Sequence, residues 1–244
     1  MRLKVLGSNS RGNGYILEND KEALIIEAGI HLLDAKKALN FNIAKVSTAI
    51  VSHEHNDHAG YIDKYLDTGI TTLCSAHVVK AKSLKSSFVR IVEANKGYKA
   101  GSFRIIPFNL KHDVPCLGYI VEHDDMGRLL FITDTMMCEY TFPNLNHILL
   151  ECNYADDILT RNIEAGQMDA GMRSRLMHTH MELNTCKGIL KANNLNNVMN
   201  IVLIHLSDGN SDEKRFIDEI TALTGKQVYA ANKGLELEIS KTPF

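Results

Sequence analysis

The sequence predicts an α/β protein in which two sheets pack face to face and helices cover their outer sides. Strand-like and helix-like segments alternate along the chain in two successive runs. The chain has no repeat, no low-complexity tract and no Pro/Gly-rich linker, and 45% of its 244 residues are hydrophobic. That composition supplies a sizeable core. We therefore expect residues 1–244 to form a single domain.

The first run consists of short strands joined by turns. Its segments are the strand "RLKVLG", the Gly/Ser/Asn-rich turn "SNSRGNG", the strands "YILEN" and "EALIIEAG", the helix "HLLDAKKALN" and the β-branched strand "KVSTAIVS". After it come a strand "GITTLCS" and a helix "AHVVKAKSLK". Four strands follow, in "FRIIPFNLKHD", "LGYIVEHD", "RLLFITDT" and "HILLECN".

The C-terminal part alternates again between helices and strands. Apolar residues at helical spacing mark "MELNTCKGILKANN", and "VMNIVLIHLS" is a buried strand. The segment "SDEKRFIDEITALTG" predicts a helix capped by Ser211 and ended by Gly225. Two further strands, "KQVYAA" and "LELEIS", complete the pattern.

Composition and cysteine usage indicate a cytoplasmic protein with no membrane segment. No apolar run approaches the ~18 residues that a membrane span needs. The first residues, "MRLKVLGSNS", lack the long apolar region of a secretory signal. The five cysteines are odd in number, scattered and never in CxxC spacing, which is typical of reduced thiols.

The net charge of −2 excludes a global basic field of the kind that many nucleic-acid-binding proteins carry. Local basic clusters occur at Lys80, Lys82, Lys85 and Arg90, and a smaller pair at Arg173 and Arg175. The simplest interpretation of each cluster is solvated helix or loop surface, and a local basic groove is the alternative.

Polar residues follow apolar strands at four places. The run "HEHNDH" (53–58) follows "TAIV", His112 follows "IIPFNLK", Asp134 follows "RLLFIT", and His205 follows "NIVLI". Loops at strand ends are where a rigid scaffold positions a site. Because imidazole is the commonest metal ligand and carboxylate bridges two cations, the pattern predicts a metal site.

The spacing within the run indicates two metal ions. His53 and His55 lie two residues apart and point the same way in an extended turn, which suits one ion. Asp57 and His58 come after a bend at Asn56 and reach a second ion. His112 would then complete the first site, His205 the second, and Asp134 would bridge the two.

These residues carry a family resemblance. "SHEHNDHAG", His112, "FITDT" and "VLIHLS" resemble the motifs of the metallo-β-lactamase superfamily. The flanks "VLGSNSRGNGYIL" and "HLSDGN" are most similar to the YycJ/WalJ-type subgroup, whose members are assigned as 5′→3′ DNA exonucleases. The resemblance implies a four-layer αβ/βα sandwich of two mixed sheets with helices outside. One departure is Glu27 in "IIEAG", where the superfamily usually has an Asp that orients a ligating histidine.

The resemblance also implies roles for two residues. In the nuclease branches of the superfamily, a histidine at a helix start contacts the scissile phosphate and protonates the leaving oxygen, and His180 in "HTHMELNTCKGIL" stands in that place. A helix start would add free N–H groups for the same anion. Asp57 is expected to be both a metal ligand and the group that orients the attacking hydroxide. Pocket-lining roles are left open for Ser8, Asn9, Ser10, Asn153 and Asp156.

The function that follows is metal-dependent phosphodiester hydrolysis through a hydroxide held between two metal ions. A nuclease acting on DNA ends in the 5′→3′ direction is the first hypothesis, and a phosphodiesterase of cyclic nucleotides or another small phosphodiester is the alternative. A binding protein that has lost its chemistry is disfavoured because all seven predicted ligands are present. Zn²⁺ is the expected metal, with Mn²⁺ as the alternative.

Overall fold

Two seven-stranded sheets form the centre of the fold in the computed structural model, which describes residues 1–241 apart from the side chains of residues 170 and 172. In spatial order, the first sheet contains β14 (Glu236–Glu238), β1 (Arg2–Asn9), β2 (Gly12–Glu18), β3 (Ala23–Ile26), β4 (Val46–Ile50), β5 (Thr72–Cys74) and β6 (Val89–Ile91). The second contains β13 (Gln227–Ala230), β12 (Asn200–Ile204), β11 (His147–Glu151), β10 (Gly127–Ile132), β9 (Cys116–His123), β8 (Phe103–Leu110) and β7 (Tyr98–Ala100).

Helices connect and cover these strands. They are α1 (Leu32–Ala38), α2 (Asn56–Ala59), α3 (Ile62–Asp67), α4 (Ala76–Ala81), α5 (Asp156–Glu164), α6 (Ala170–Thr179), α7 (Leu183–Ala192) and α8 (Glu213–Thr224), with a 3-10 turn at Ile43–Lys45. No helix within residues 1–241 has the length and hydropathy needed to cross a bilayer.

Alternate residues of the central strands pack into two different apolar layers, one on each face of the sheet. In β10, Leu129 and Phe131 point into the layer between the sheets, whereas Leu130 and Ile132 point toward the helices outside. The same period of two holds in β12, where Val202 faces the partner sheet and Leu203 the helical layer. Strands buried on both faces are continuous apolar runs, as "RLLFI" and "NIVLI" are.

Helical layers complete the sandwich on both sides. Apolar residues of α1, α3 and α4 pack on the outer face of the first sheet, and those of α5, α7 and α8 pack on the outer face of the second. The predicted fold class, a four-layer αβ/βα sandwich of two mixed sheets, is confirmed. The expectation that residues 1–244 form one domain stays a prediction, and residues 242–244 lie outside the described residues.

Several local predictions were wrong. The turn predicted over residues 8–14 shrinks to Ser10 and Arg11, because β1 and β2 continue through most of it as a paired hairpin. Strands β6 and β7 were not predicted, since neither has a clear apolar alternation. Helix α8 is capped by Asp212, whose side chain accepts a hydrogen bond from the Arg215 backbone N–H at 2.9 Å. The predicted cap, Ser211, instead donates to the Ser207 carbonyl.

Strand direction brings the predicted ligands to one edge of the fold. Strands β3 and β4 are parallel, and β10, β11 and β12 are parallel. Strand β8 runs with β10 because each is antiparallel to β9. Three residues just beyond these strand ends, Glu27, Asp134 and His205, have positive φ angles of 69°, 43° and 55°. Non-glycine residues rarely adopt this conformation, and it turns their side chains into the site.

Candidate metal centre

Three histidine nitrogens converge at the first predicted metal position. His53 Nε2 lies 3.0 Å from His55 Nδ1, and His55 Nδ1 lies 3.3 Å from His112 Nε2. Ligand atoms of these three residues all lie within 4.8 Å of one another. Imidazole nitrogens are common metal ligands, and three of them at these distances fit a single metal ion.

The opposite ring nitrogen of each histidine is turned toward the protein. His53 Nδ1 lies 2.9 Å from Ser52 Oγ, and His112 Nδ1 lies 2.9 Å from the Thr179 carbonyl oxygen. His55 Nε2 lies 3.5 Å from the Asp113 carboxylate. Such outer contacts fix ring orientation in metal-binding histidines.

A second group forms directly beside the first. Asp57 Oδ2 lies 3.2 Å from both His58 Nε2 and His205 Nε2. Asp134 Oδ2 lies 2.5 Å from His58 Nε2 and 3.5 Å from His53 Nε2, so this one oxygen reaches both groups. The structure thus brings all seven predicted ligands together in the predicted division, with Asp134 between the two groups. Their role as ligands stays a prediction.

Burial and the neighbouring histidines shift the pKa values of several groups in the centre. Burial, together with repulsion from His58, lowers the pKa of His53 well below its usual value, so the ring is neutral as a metal ligand must be. Burial alone would raise the pKa of Asp57, but hydrogen bonds from His205 and His58 hold it far below the usual range. The neighbouring histidines likewise outweigh burial and lower the pKa of Asp134 well below its usual value.

Helix α2 begins at Asn56 and carries Asp57 and His58, whereas His53 and His55 precede it, with His55 as the N-cap residue. Glu54 and Asn56, which alternate with the first ligands, are bound by α4 and by the residue that follows it. Glu54 Oε2 lies 2.6 Å from His77 Nε2, and Lys82 Nζ donates to Asn56 Oδ1 at 2.8 Å. His77 therefore supports the loop that carries the predicted ligands, a role that the sequence did not suggest.

Glu27 lies behind His58, fully buried, where the resemblance places an acid. Its Oε1 is 3.5 Å from His58 Nδ1, and its Oε2 accepts a hydrogen bond from the Ser52 backbone N–H at 3.3 Å. Within the described residues, neither Oε1 nor Nδ1 forms a hydrogen bond, so the two buried atoms face each other across a long contact. The longer glutamate arm thus reaches the histidine that it is expected to orient.

His180 contacts the centre from the other side. Its Nδ1 lies 2.7 Å from Glu151 Oε1 and 3.1 Å from Asp134 Oδ1. Burial opposes the charged ring, but the two carboxylates outweigh burial and raise the pKa of His180 to about 10. The predicted helix start was wrong: His180 follows the last residue of α6, and Glu182 caps α7 by accepting from the Asn184 N–H. A protonated imidazole is favourable at the C-terminal end of a helix.

A cleft of about 330 Å³ opens beside these residues. It is lined by His180 and His205, by Ser10 of the turn between β1 and β2, by Asn153 beyond β11 and by Asp208 of the loop that follows His205. Ser10 and Asn153 therefore line the pocket, as left open by the sequence. Asp156 does not, because its carboxylate is bound by Arg173.

Two functional residues escaped the sequence interpretation. Glu151 is the last residue of strand β11, and its position at the end of an apolar strand, like that of Asp134, could have identified it from the sequence. Asn13 is buried in the "SNSRGNG" segment, and its amide nitrogen lies 3.0 Å from His58 Nε2 and 3.3 Å from the Asp57 carbonyl oxygen. The remaining histidines, His31, His123 and His147, lie outside the three groups of potential metal ligands within the described residues.

Fold and site together define a metallo-hydrolase of one superfamily. A family model described as "Metallo-beta-lactamase superfamily" matches residues 8–139. The chain belongs to this superfamily, which confirms the resemblance drawn from its motifs. The fold implies divalent metal ions, and the histidine and aspartate groups fit a dinuclear centre.

Curated relatives and solved structures agree with this placement. The chain is 26% identical over 146 residues to exodeoxyribonuclease YycJ of Bacillus anthracis. The aligned region covers 55% of this chain and 54% of that relative. The chain thus spans about half the length of that relative. It is 24% identical over 196 residues to exodeoxyribonuclease WalJ of Streptococcus pneumoniae, covering 74% of this chain and 73% of that protein.

Among solved structures, the metallo-beta-lactamase fold protein YhfI of Bacillus subtilis superposes with a TM-score of 0.71 at 16% identity, covering 97% of this chain and 99% of the other. A diphosphatase from the PhnP family gives a TM-score of 0.66 at 15% identity and covers 97% of each chain. At these identities the likeness concerns the fold.

Proposed function

We propose that this chain is a phosphodiester hydrolase with two divalent metal ions, acting on DNA ends in the 5′→3′ direction. His53, His55 and His112 would hold one ion, and Asp57, His58 and His205 the other, with Asp134 between them. Zn²⁺ is the proposed metal because the set is rich in imidazole, and Mn²⁺ is the alternative. When bound, such a pair of ions activates water and stabilises charge on the phosphoryl oxygens.

Asp57 is proposed to position the attacking water as well as to bind metal. Its side chain is 21% exposed, whereas those of Asp134 and His205 are only 2% and 3% exposed. The Asp57 carboxylate is therefore the more accessible to water while it remains tied to His58 and His205.

The observation that carries the proposal is the setting of His180. Glu151 uses both carboxylate oxygens on protein donors, since Oε1 bonds His180 Nδ1 and Oε2 accepts from the Thr135 N–H at 2.9 Å. Glu151 is therefore committed to holding His180 and is not needed as a ligand, although it lies within ligand distance of Asp134 and His205. With Nδ1 held, the opposite ring nitrogen is the one available to the cleft.

This arrangement suits proton donation to a poor leaving group. Hydrolysis of a phosphodiester expels an alkoxide, which leaves far more readily when a positioned acid protonates it. Glu151 stabilises the charged imidazole, and the cleft lets the ring approach the departing oxygen. The two relatives named exodeoxyribonucleases favour a deoxyribose oxygen as that leaving group.

The test is the His180→Ala variant on two substrates that differ in leaving group. On an oligonucleotide, we expect kcat to fall by about 10²–10⁴, the range for general acid catalysis. On bis(p-nitrophenyl) phosphate, whose p-nitrophenolate leaves without a proton, the loss is expected to be much smaller. The metal content of His180→Ala should equal that of the wild type.

His178→Ala provides the matched control, because His178 lies two residues away, is exposed and, within residues 1–241, forms a side-chain hydrogen bond only with the Ser174 carbonyl oxygen. It should behave as the wild type on both substrates. Equal losses for His180→Ala on the two substrates would remove the general-acid role, and no loss on either would refute the proposed contact.

Hydrolysis of a small phosphodiester such as a cyclic nucleotide is the second candidate. The net charge of −2 and the modest cleft favour it. A salt titration of substrate affinity separates the two, because contacts to several phosphates of a strand give a steep fall with ionic strength and a single phosphate does not.

A further inference from the structure

Arg175 lines the same cleft as His180 and His205, on the side formed by α6. The pair Arg173 and Arg175 first suggested a solvated basic surface, but the structure separates the two residues. They lie two positions apart on a helix and therefore on opposite faces. Arg173 binds Asp156 and Thr160 on the neighbouring helix α5. Arg175 is exposed and forms no ion pair within residues 1–241.

The other charges of the cleft are already compensated. Asp208, its acidic residue, pairs with Arg11 at 3.1 Å, and His180 pairs with Glu151 at 2.7 Å. Arg175 thus leaves one uncompensated guanidinium beside the proposed hydrolytic centre. A guanidinium is permanently charged and offers two parallel N–H donors that match a phosphate.

Spacing fixes where such a phosphate would lie. Arg175 precedes Thr179, the last residue of α6, by four residues, or about 6 Å along the helix axis, and His180 follows in extended backbone. The Arg175 guanidinium would therefore bind a phosphate other than the one whose leaving oxygen His180 would protonate. A cleft of about 330 Å³ has the size of a small-ligand pocket.

We propose that Arg175 binds a second phosphate of the substrate strand, next to the phosphodiester that is cleaved. This rests on the proposed function and narrows it to substrates with at least two phosphate groups. A cyclic mononucleotide, with one phosphate, would leave Arg175 unused. The second phosphate is either the terminal 5′-phosphate or the neighbouring internal linkage.

The experiment measures binding, so it does not depend on turnover. Metal-loaded wild type, Arg175→Gln and Arg161→Gln are titrated with short single-stranded DNA whose phosphorothioate linkages resist hydrolysis. One strand carries a 5′-phosphate and the other a 5′-hydroxyl. Arg161 is the matched control because it is exposed on α5, forms no ion pair within residues 1–241 and lies outside the cleft.

We expect Arg175→Gln to weaken binding by about 10- to 100-fold, the range for losing a charge-assisted hydrogen bond. A loss confined to the 5′-phosphorylated strand identifies the terminal phosphate. An equal loss on both strands, with the slope of log affinity against log salt reduced by about 0.7, identifies the internal linkage. Arg175→Lys should recover part of the loss, and Arg161→Gln should bind both strands as the wild type does.

Binding of both strands by Arg175→Gln as tightly as by Arg161→Gln would overturn the inference, as would a wild type that binds neither strand. A wild type that binds the strands but does not cleave unmodified DNA would refute the proposed function while leaving the Arg175 contact standing. The loss of kcat/KM in Arg175→Gln should be smaller on bis(p-nitrophenyl) phosphate, which has one phosphate, than on DNA. A loss there equal to the loss on DNA would contradict a second-phosphate role.

Discussion

Gly29 offers a direct way to displace one metal position without touching a ligand. A Cβ built on Gly29 would lie 1.7 Å from the Asp57 carbonyl oxygen and 2.8 Å from the Asn13 backbone nitrogen. Ordinary contact begins near 3.4 Å, so Gly29→Ala requires the two segments to separate by about 1.7 Å. The segments are tied together here, because the Ala28 N–H donates to the His58 carbonyl oxygen at 2.8 Å.

The displacement falls on Asp57 and His58, which belong to the second group of ligands. His112 lies on another segment, and His53 and His55 precede the helix that carries Asp57 and His58, so the first group should keep its ion. We therefore expect Gly29→Ala to bind its second ion about 10- to 100-fold more weakly, as when groups that orient metal ligands are altered. Overpacking should also lower the free energy of unfolding by about 1–3 kcal/mol.

The assay is a metal titration by calorimetry, accompanied by thermal unfolding of the metal-free protein. Gly188→Ala is the control: Gly188 lies within α7 with open space around it, so alanine should stabilise the helix by about 0.4–1 kcal/mol and leave both ions bound. Wild-type affinity for both ions in folded Gly29→Ala would refute the account of this contact.

Three further outcomes are expected. Asp57→Ala should abolish turnover while leaving at least one ion bound, and activity retained at the wild-type level would contradict its role. Burial lowers the pKa of His147 to about 4, against about 6.5 in an unfolded chain, so only the unfolded state gains this proton as pH falls from 6.5 to 4. Relative to His147→Gln, the wild type should lose about 3 kcal/mol of stability between pH 7.5 and pH 4, and a constant difference in denaturant unfolding would contradict this. Glu18→Gln should lower the free energy of unfolding by about 1–3 kcal/mol, because it removes the carboxylate that pairs with the largely buried ammonium groups of Lys4 and Lys45, each at 2.5 Å. An unchanged free energy of unfolding would contradict this.

Strand ends made most of the centre predictable. Asp134 and His205 each follow an apolar run, and the parallel direction of β10 and β12 then brings both to one edge of the sandwich. The bend at Asn56 was also predicted, and it corresponds to the start of α2. These features are local in sequence, so periodicity and spacing are enough to find them.

Other features depend on contacts between distant segments. Asn13 reaches His58 across 45 positions of the chain, and His180 reaches Glu151 across 29. No local pattern encodes the positive φ of Glu27 or the close approach of Gly29 to Asp57. The capping of α7 by Glu182 was likewise not predictable, because glutamate is not among the preferred N-cap residues. For that reason His180 was expected at the start of α7, whereas it follows the end of α6.

The number of metal ions per chain tests the central claim most directly. Elemental analysis of the purified protein, saturated with metal and freed of excess, should give about two ions for the wild type. His112→Ala and His205→Ala should each give about one, because they belong to different groups of ligands. A wild type that binds one ion or none, or two variants that both keep the full complement, would contradict a dinuclear centre at these residues.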